Sequence, residues 1–108
     1  MSDALRHNDG KAELAYMATM PNAWRGFARV CTYGGTKYAR YNYLIGAPYS
    51  QYVNCLLRHL LAFMEGEDVD AESGCRHLDH LVWNALMLAE MSVIQPERDD
   101  RPCQKSST

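Results

Sequence analysis

Residues 58 to 84 concentrate side chains that can bind metal ions or transfer protons. This stretch, RHLLAFMEGEDVDAESGCRHLDHLVWN, contains three of the four histidines and almost half of the thirteen acidic residues of the chain. Neutral imidazole and ionised carboxylate are the groups that hold divalent cations in proteins. Both ends of the stretch have helical patterns, so a helix-loop-helix hairpin would bring these groups together. We therefore predict a metal-assisted site between two helices.

The second half of this stretch opens a long helix, predicted over residues 76 to 91. His77, His80 and Asn84 lie within about 60° of one another on that helix, because its residues repeat every 3.6 positions. Together they can address one ligand, although a solvated polar flank has the same spacing. The apolar stripe expected to face the core consists of Leu78, Leu81, Val82, Ala85 and Ala89.

The segment between the two helices, residues 65 to 74, has five carboxylates. Their mutual repulsion would oppose folding unless a cation, water or a helix N-terminus offset it. The alternation of Asp68, Asp70 and Glu72 resembles a calcium loop, but the glycine falls one position late and the closing glutamate is missing, which argues against an EF-hand. A plain solvated loop is the alternative to a cation site. Glu72 or Ser73 can also accept hydrogen bonds from the free amides of the following helix.

The first half of the stretch belongs to a helix that is predicted to start after Pro48, with Ser50 as its cap, and to end at Gly66. His59 lies on its apolar face, where it is either a functional group or a core histidine satisfied by one hydrogen bond. The residues that share this face are Tyr52, Cys55, Leu56, His59 and Phe63.

An earlier helix is predicted over residues 21 to 33, PNAWRGFARVCTY, because Pro21 suits a first helical position and Gly34-Gly35 a stop. Its expected buried residues are Trp24, Phe27, Ala28 and Cys31.

Residues 34 to 48 then predict a loop, since they contain three glycines and a proline. Its aromatic rings could stack on a purine, with Asn42 hydrogen-bonded to a base edge, or could pack the core or a subunit interface. The tyrosines in and beside this loop are Tyr33, Tyr38, Tyr41, Tyr43 and Tyr49.

Length and composition indicate one small domain. The chain has 108 residues, 47% of them hydrophobic, and a formal charge of -2, which gives no global reason to bind nucleic acid or an acidic membrane. Its four cysteines form no CxxC pair and no long apolar run is present, so we expect reduced thiols in a cytoplasmic protein. The polar ends predict a flexible N-terminus over 1–10, a single domain over 11–94 and a flexible tail over 95–108.

Several motifs follow one another as they do in a known family: TYGGTKY, RHLLAF, GEDVDAESG and HLDHLVWN. From about Asp9 to Glu90 the chain resembles the dATP/dGTP diphosphohydrolases of bacteriophages, the MazZ-type members of the MazG-like nucleotide pyrophosphohydrolases. The resemblance implies an all-α bundle of three to four main helices with a Gly/Tyr-rich loop, commonly a homodimer or homotetramer. It also implies Mg²⁺- or Mn²⁺-dependent cleavage of dATP or dGTP to monophosphate and pyrophosphate, in the host cytoplasm.

The EExxE metal motif of the wider group is missing from this chain, so only residues in matching motifs are carried over. Hydrolysis between the α and β phosphates needs an in-line water, a cation and donors to the phosphate oxygens. We expect one of three histidines, His59, His77 or His80, to orient or deprotonate the water. The expected metal ligands, direct or through waters, are Glu67, Asp68, Asp70 and Glu72.

The substrate is expected to meet cationic, aromatic and amide side chains. Lys37, Arg40 and Arg58 would contact phosphate oxygens, although a solvated surface charge explains each of them equally well. The full set of expected substrate-binding residues is Lys37, Tyr38, Arg40, Asn42, Arg58 and Asn84.

Two other classes of protein fit the same residues. A sponge-type protein would bind a nucleotide or signalling nucleotide in this pocket without cleaving it. A structural or regulatory helical protein would use its histidines only to satisfy buried polar positions, and no nucleotide would then raise its melting temperature.

Overall fold

Three α-helices form the body of the protein in the computed structural model, which describes residues 2–7 and 9–103. The predicted all-α bundle is confirmed, and the described ranges contain no β-strand. They also contain no helix that is both long and apolar enough to cross a lipid bilayer. The α-helices are α1 (Pro21–Lys37), α2 (Tyr49–Met64) and α3 (His77–Ile94), and 3₁₀ turns span Leu14–Thr19, Asn42–Ile45 and Pro96–Arg98.

Helices α2 and α3 share the most extensive contact, and α1 also packs on α3. The centre of the core lies between α2 and α3, where Tyr52, Met87 and Met91 are buried. The face predicted for α2 is confirmed, since Tyr52 is buried and the other residues of that face are half-buried. Periodicity was sufficient here because this helix has one apolar face that meets a neighbour.

The prediction for the inner face of α3 is wrong. Its buried residues are His77, Asp79, His80, Asn84, Met87 and Met91. In the expected stripe, Ala85 and Ala89 are exposed and the other three residues are half-buried. The histidine side of this helix is turned inward because its polar groups find hydrogen-bond partners there, and the two methionines continue the same face at helical spacing.

Helix α1 does not stop at Gly34-Gly35 but continues to Lys37. Glycine weakens a helix by only about 1 kcal/mol, and the amide of Tyr38 closes the last turn on the carbonyl of Gly34 at 3.0 Å. The inner face is also shifted, because Gly26 and Val30 are buried whereas Ala28 is exposed.

Neither predicted helix cap is formed. Pro48 occupies the cap position of α2, and Ser50 instead donates its amide and hydroxyl to Asp100. Arg76 occupies the cap position of α3, and Ser73 Oγ accepts the amide of Cys75.

The C-terminal end of α2 agrees with the prediction. Gly66 ends this helix in a left-handed conformation, with φ of 97°, which favours glycine.

Flexibility of the two chain ends stays a prediction. Residue 1, residue 8 and residues 104–108 lie outside the described part of the chain. Inside that part, Gln95 Nε2 donates a hydrogen bond to the backbone carbonyl of Ile45 at 3.0 Å, so the start of the C-terminal segment contacts the loop before α2.

Candidate active site

A cavity of about 420 Å³ opens between α1, α2, α3 and the acidic segment that precedes α3. We call it the ionic cavity, because cationic, anionic and imidazole groups line it. Most of the predicted site residues meet there. Those that line it are Lys37, Tyr38, Arg58, His59, Asp70, Glu72, His80 and Asn84.

The remaining predicted residues lie elsewhere. Arg40 lines a separate cavity of about 560 Å³ on the other side of α1. Asn42 lines a third cavity, of about 470 Å³, which adjoins the ionic cavity. His77 is buried behind His59 and contacts Glu67, whereas Asp68 is exposed.

Three imidazole rings from two helices form one cluster. His59 of α2 stacks on His80 of α3, with ring centroids 4.3 Å apart and an angle of 5° between the planes. The Nδ1 atoms of His59 and His77 lie 2.8 Å apart. A neutral imidazole has one donor and one acceptor nitrogen, so this contact needs one protonated Nδ1 and one bare Nδ1.

Glu67 determines which nitrogen carries each proton. Its carboxylate can only accept, and it lies 2.9 Å from His77 Nε2, so that nitrogen is the donor. In the tautomer in which His77 carries only this one proton, its Nδ1 accepts from His59 Nδ1-H. That arrangement leaves Nε2 of His59 as the bare nitrogen, on a ring that lines the ionic cavity.

Ser73 fixes His80 in a similar way. Its hydroxyl lies 2.6 Å from Asp70 Oδ2, to which it donates, and 2.7 Å from His80 Nε2, from which it accepts. His80 is therefore protonated on Nε2 and bare on Nδ1. Ser73 also donates its amide to Asp70 at 3.1 Å, which fixes the carboxylate in the cavity wall.

The environment holds the two cavity imidazoles neutral. Burial, followed by the charges of His80 and His77, lowers the pKa of His59 to about 4. Burial also lowers the pKa of His80, against the opposing effect of Asp70. At pH 7 both rings can therefore accept a proton.

Asp70 stays charged beside these rings. Burial acts to raise the pKa of this carboxyl group, but the two hydrogen bonds from Ser73 outweigh it and the pKa lies below its ordinary value. The cavity therefore holds a fixed negative charge next to neutral imidazoles.

An exposed ion pair closes one edge of the ionic cavity. Lys37 Nζ lies 2.7 Å from Glu72 Oε1, and the hydroxyl of Tyr33 donates to the same oxygen at 3.2 Å. The hydrogen bond from Lys37 lowers the pKa of Glu72, and the same bond raises the pKa of Lys37. Exposed ion pairs contribute little to stability, so Lys37 can exchange its partner for another anion at small cost.

The predicted carboxylates do not form a closed metal cage. Among the described residues, no group of three histidine, cysteine or acidic side chains is arranged to hold a metal ion. Asp70 and Glu72 line the ionic cavity, whereas Glu67 contacts His77 and Asp68 is exposed. This donor set fits Mg²⁺, which commonly binds one or two carboxylates together with substrate phosphates and waters.

The sequence did not indicate a role in the site for three residues that shape it. Trp83 lines the ionic cavity, and Ser73 links Asp70 to His80. Asp79, exposed by only 2%, accepts two hydrogen bonds from Arg76 and lies against α1 at Gly26. An acidic residue in the first turn of a helix is usually solvated, so the burial of Asp79 is not expected from its position. The one sequence feature that relates to this burial is Gly26 on the facing helix.

The fold and this cavity define a class: a small all-α protein with a cluster of histidines, acids and bases in a cleft between its helices. The model of one family, "dATP/dGTP diphosphohydrolase, N-terminal", matches residues 1–101 of the chain. The chain belongs to this family, which confirms the resemblance carried by its motifs. No curated protein and no solved structure matches it.

Proposed function

We propose that this protein hydrolyses purine deoxynucleoside triphosphates, dATP or dGTP, to monophosphate and pyrophosphate with Mg²⁺ or Mn²⁺. The observation that carries the proposal is the ionic cavity, where two cations, two carboxylates and two neutral imidazoles meet. The name of the family supports the same substrates.

The triphosphate is assigned to the side of the cavity lined by Lys37 and Arg58. Lys37 would exchange Glu72 for a phosphate oxygen, and Arg58 can donate two parallel hydrogen bonds to a second phosphate. Glu72 would then be free to contact a cation beside Asp70. Binding would therefore replace an exposed ion pair by contacts to the substrate, with little loss of stability.

His59 is the proposed general base. Its Nε2 is bare when His59 Nδ1-H donates to His77 and His77 Nε2-H donates to Glu67, so the ring then has a single proton-accepting atom. A bound triphosphate places negative charge nearby and raises the pKa of His59 from its low value toward neutrality, which makes the ring a better base. Glu67 and His77 are thus positioning residues in this proposal.

Asp70 and Glu72 are the residues that would hold the metal ion, together with phosphate oxygens and water. When bound, Mg²⁺ or Mn²⁺ neutralises charge on the phosphates and lowers the pKa of a coordinated water.

A second copy of the chain is the proposed partner. The outer side of α2 exposes an apolar stripe of helical spacing, which would be costly in a monomer. We therefore propose a homodimer or homotetramer, and light scattering that gives the mass of a monomer would contradict this. The stripe consists of Val53, Leu57, Leu60, Leu61 and Met64.

The test of the function is an assay of the purified protein with each deoxy- and ribonucleoside triphosphate and Mn²⁺. We expect monophosphate and pyrophosphate from dATP or dGTP, and no turnover after chelation of the metal. A nucleotide that binds and is recovered intact under all conditions would instead indicate a sponge-type protein. Diphosphate and phosphate as products would place the attack at a different phosphorus atom.

A further inference from the structure

The segment that precedes α1 stands away from the helical body. Every residue from 9 to 20 is exposed, and the 3₁₀ turn Leu14–Thr19 has its main contact with α1, the helix that follows it. We call residues 9–20 the arm. Its apolar side chains stay outside the core, since Leu14 is 73% and Tyr16 68% exposed, and Met17 and Met20 are exposed as well. The arm therefore carries apolar surface that its own chain leaves uncovered.

The arm has a defined shape that its own sequence does not stabilise. Its 3₁₀ turn has six residues, whereas runs of more than three or four are uncommon, and helices this short are not stable alone in water. Such a turn is normally held by packing its apolar side chains against a neighbour. None of the residues of this turn is buried by the described part of the chain. The arm therefore suits a surface on another molecule.

The amount of exposed surface indicates that this molecule is a second copy of the chain. The accessible surface is 8598 Å², whereas a compact monomer of 12.3 kDa has about 6,100 Å². The radius of gyration, 17.6 Å, likewise exceeds the value of about 13 Å for a compact domain of this length. The surplus area is larger than about 800 Å², which each partner buries in a standard interface. Two copies can therefore bury enough surface to form a stable pair.

A groove of about 540 Å³ between α2 and α3 offers a surface that fits the arm. We call it the α2–α3 groove. Val53 and Leu56 of α2 line it together with Leu88 of α3, and the exposed small side chains of Ala85 and Ala89 leave room for another backbone to approach. Val53 also belongs to the apolar stripe on the outer side of α2, so the groove and the stripe form one continuous apolar surface.

The arm and the groove lie at opposite ends of the pair of helices α2 and α3. Gly26 of α1 lies against Asp79 in the first turn of α3, so the arm leaves the body near the hairpin that joins α2 to α3. The groove is lined by Tyr49, at the start of α2, and by Ser92, near the end of α3. About 20 Å of helix separates Asp79 from Ser92. If two copies pair antiparallel along their α2 stripes, the hairpin end of each meets the groove of the other.

We propose that the arm of each protomer docks in the α2–α3 groove of its partner in a two-fold symmetric pair. Leu14 and Tyr16 are assigned to the groove, because they are the most exposed apolar residues of the 3₁₀ turn. The inference rests on the pairing of two copies, which is part of the proposed function, and is independent of nucleotide hydrolysis. Arm, groove and α2 stripe are then parts of one interface in which every contact occurs twice.

Photochemical cross-linking of the full chain tests where the arm lies. Tyr16→p-benzoylphenylalanine is prepared with ¹⁵N and mixed with unlabelled, unmodified protein, so mass spectrometry separates links between chains from links within one chain. We expect links from labelled arms to unlabelled peptides of α2 and α3 that contain Val53, Leu56 or Ala89. The matched control is Leu5→p-benzoylphenylalanine, since Leu5 is 94% exposed and precedes the arm. It should give at least about tenfold fewer links to these peptides.

Leu14→Ser tests the contribution of the arm to the stability of the pair. We expect the dissociation constant, measured by sedimentation equilibrium, to rise at least about tenfold, because two-fold symmetry removes the apolar contact twice. Leu14 is exposed in the single chain, so the protomer should fold unchanged. Leu5→Ser removes an equally apolar, exposed side chain outside the arm and should change the constant by less than about twofold.

The arm proposal would be overturned by any of three results: no links between chains from position 16, links to another surface of the partner, or equal dissociation constants for Leu14→Ser and Leu5→Ser. Sedimentation of the unmodified protein separates this proposal from the pairing on which it rests. A monomer at all concentrations would remove both, whereas a dimer without links to the groove would remove only the role of the arm. Assays of dATP and dGTP hydrolysis on the same samples test the proposed activity separately.

Discussion

Asp70→Asn is expected to lower kcat for deoxynucleoside triphosphate hydrolysis by about 10²–10³-fold. Asp70 carries the fixed negative charge of the ionic cavity, beside His80 and within the site proposed for the metal. Asparagine keeps an oxygen that can accept the hydrogen bonds from Ser73, so the local turn should survive. Steady-state kinetics at saturating Mn²⁺ measure the loss of rate.

The matched control for this substitution is Glu65→Gln, which removes one negative charge from the same acidic segment. Glu65 is exposed and does not line the ionic cavity. We expect its kcat to stay within about twofold of the unmodified protein, since distant exposed charges are screened by salt. An equal loss of rate in both variants would mean that total charge matters and that Asp70 has no particular role.

Gly26→Ala is expected to lower the free energy of unfolding by about 2–3 kcal/mol. A Cβ atom at Gly26 would lie 2.0 Å from Oδ1 of Asp79, far inside van der Waals contact. The carboxylate cannot turn away easily, because Arg76 holds both of its oxygens, at 2.9 and 3.2 Å. Either α1 moves off α3 or the contact between the buried Asp79 and the exposed Arg76 is disturbed, and urea unfolding measures the result.

Gly34→Ala on the same helix should change stability in the opposite direction. A Cβ atom at Gly34 meets nothing within 4 Å, and the backbone there is helical. Alanine is the better helix former, so we expect a gain of about 0.5–1 kcal/mol. If Gly26→Ala and Gly34→Ala changed the free energy of unfolding by the same amount in the same direction, the effect would come from helix propensity. The contact with Asp79 would then be unimportant.

The sequence predicted those parts of the fold in which local pattern and tertiary contact agree. Helix α2 has one apolar face, and this face meets α3 as expected, with His59 on it. The motifs RHL, GEDVDAE and HLDHLVWN placed most of the predicted site residues on α2, on α3 and on the segment between them, and groups on two helices and their connection lie close together in a hairpin.

Other parts depend on contacts that no local pattern contains. The inward side of α3 is polar because its groups find partners on other elements, such as Glu67 for His77, and hydropathy alone predicts the opposite side. The pairing of Lys37 with Glu72 joins residues 35 positions apart. Helix propensity alone makes Gly26 unfavourable within α1, whereas the absence of a side chain there makes room for the buried Asp79. Each is a tertiary effect that overrides propensity.

The central claim, that a triphosphate binds beside the histidine cluster, is tested most directly by an NMR titration of the imidazole nitrogens. In the free protein we expect His59 to be bare at Nε2 and to titrate near pH 4, where burial and neighbouring rings hold its pKa. An α,β-imido deoxynucleoside triphosphate, added with a chelator so that no cation is present, should raise this pKa because the bound anion favours the imidazolium form. Saturating binding of the nucleotide that leaves the pKa of His59 unchanged would contradict the account.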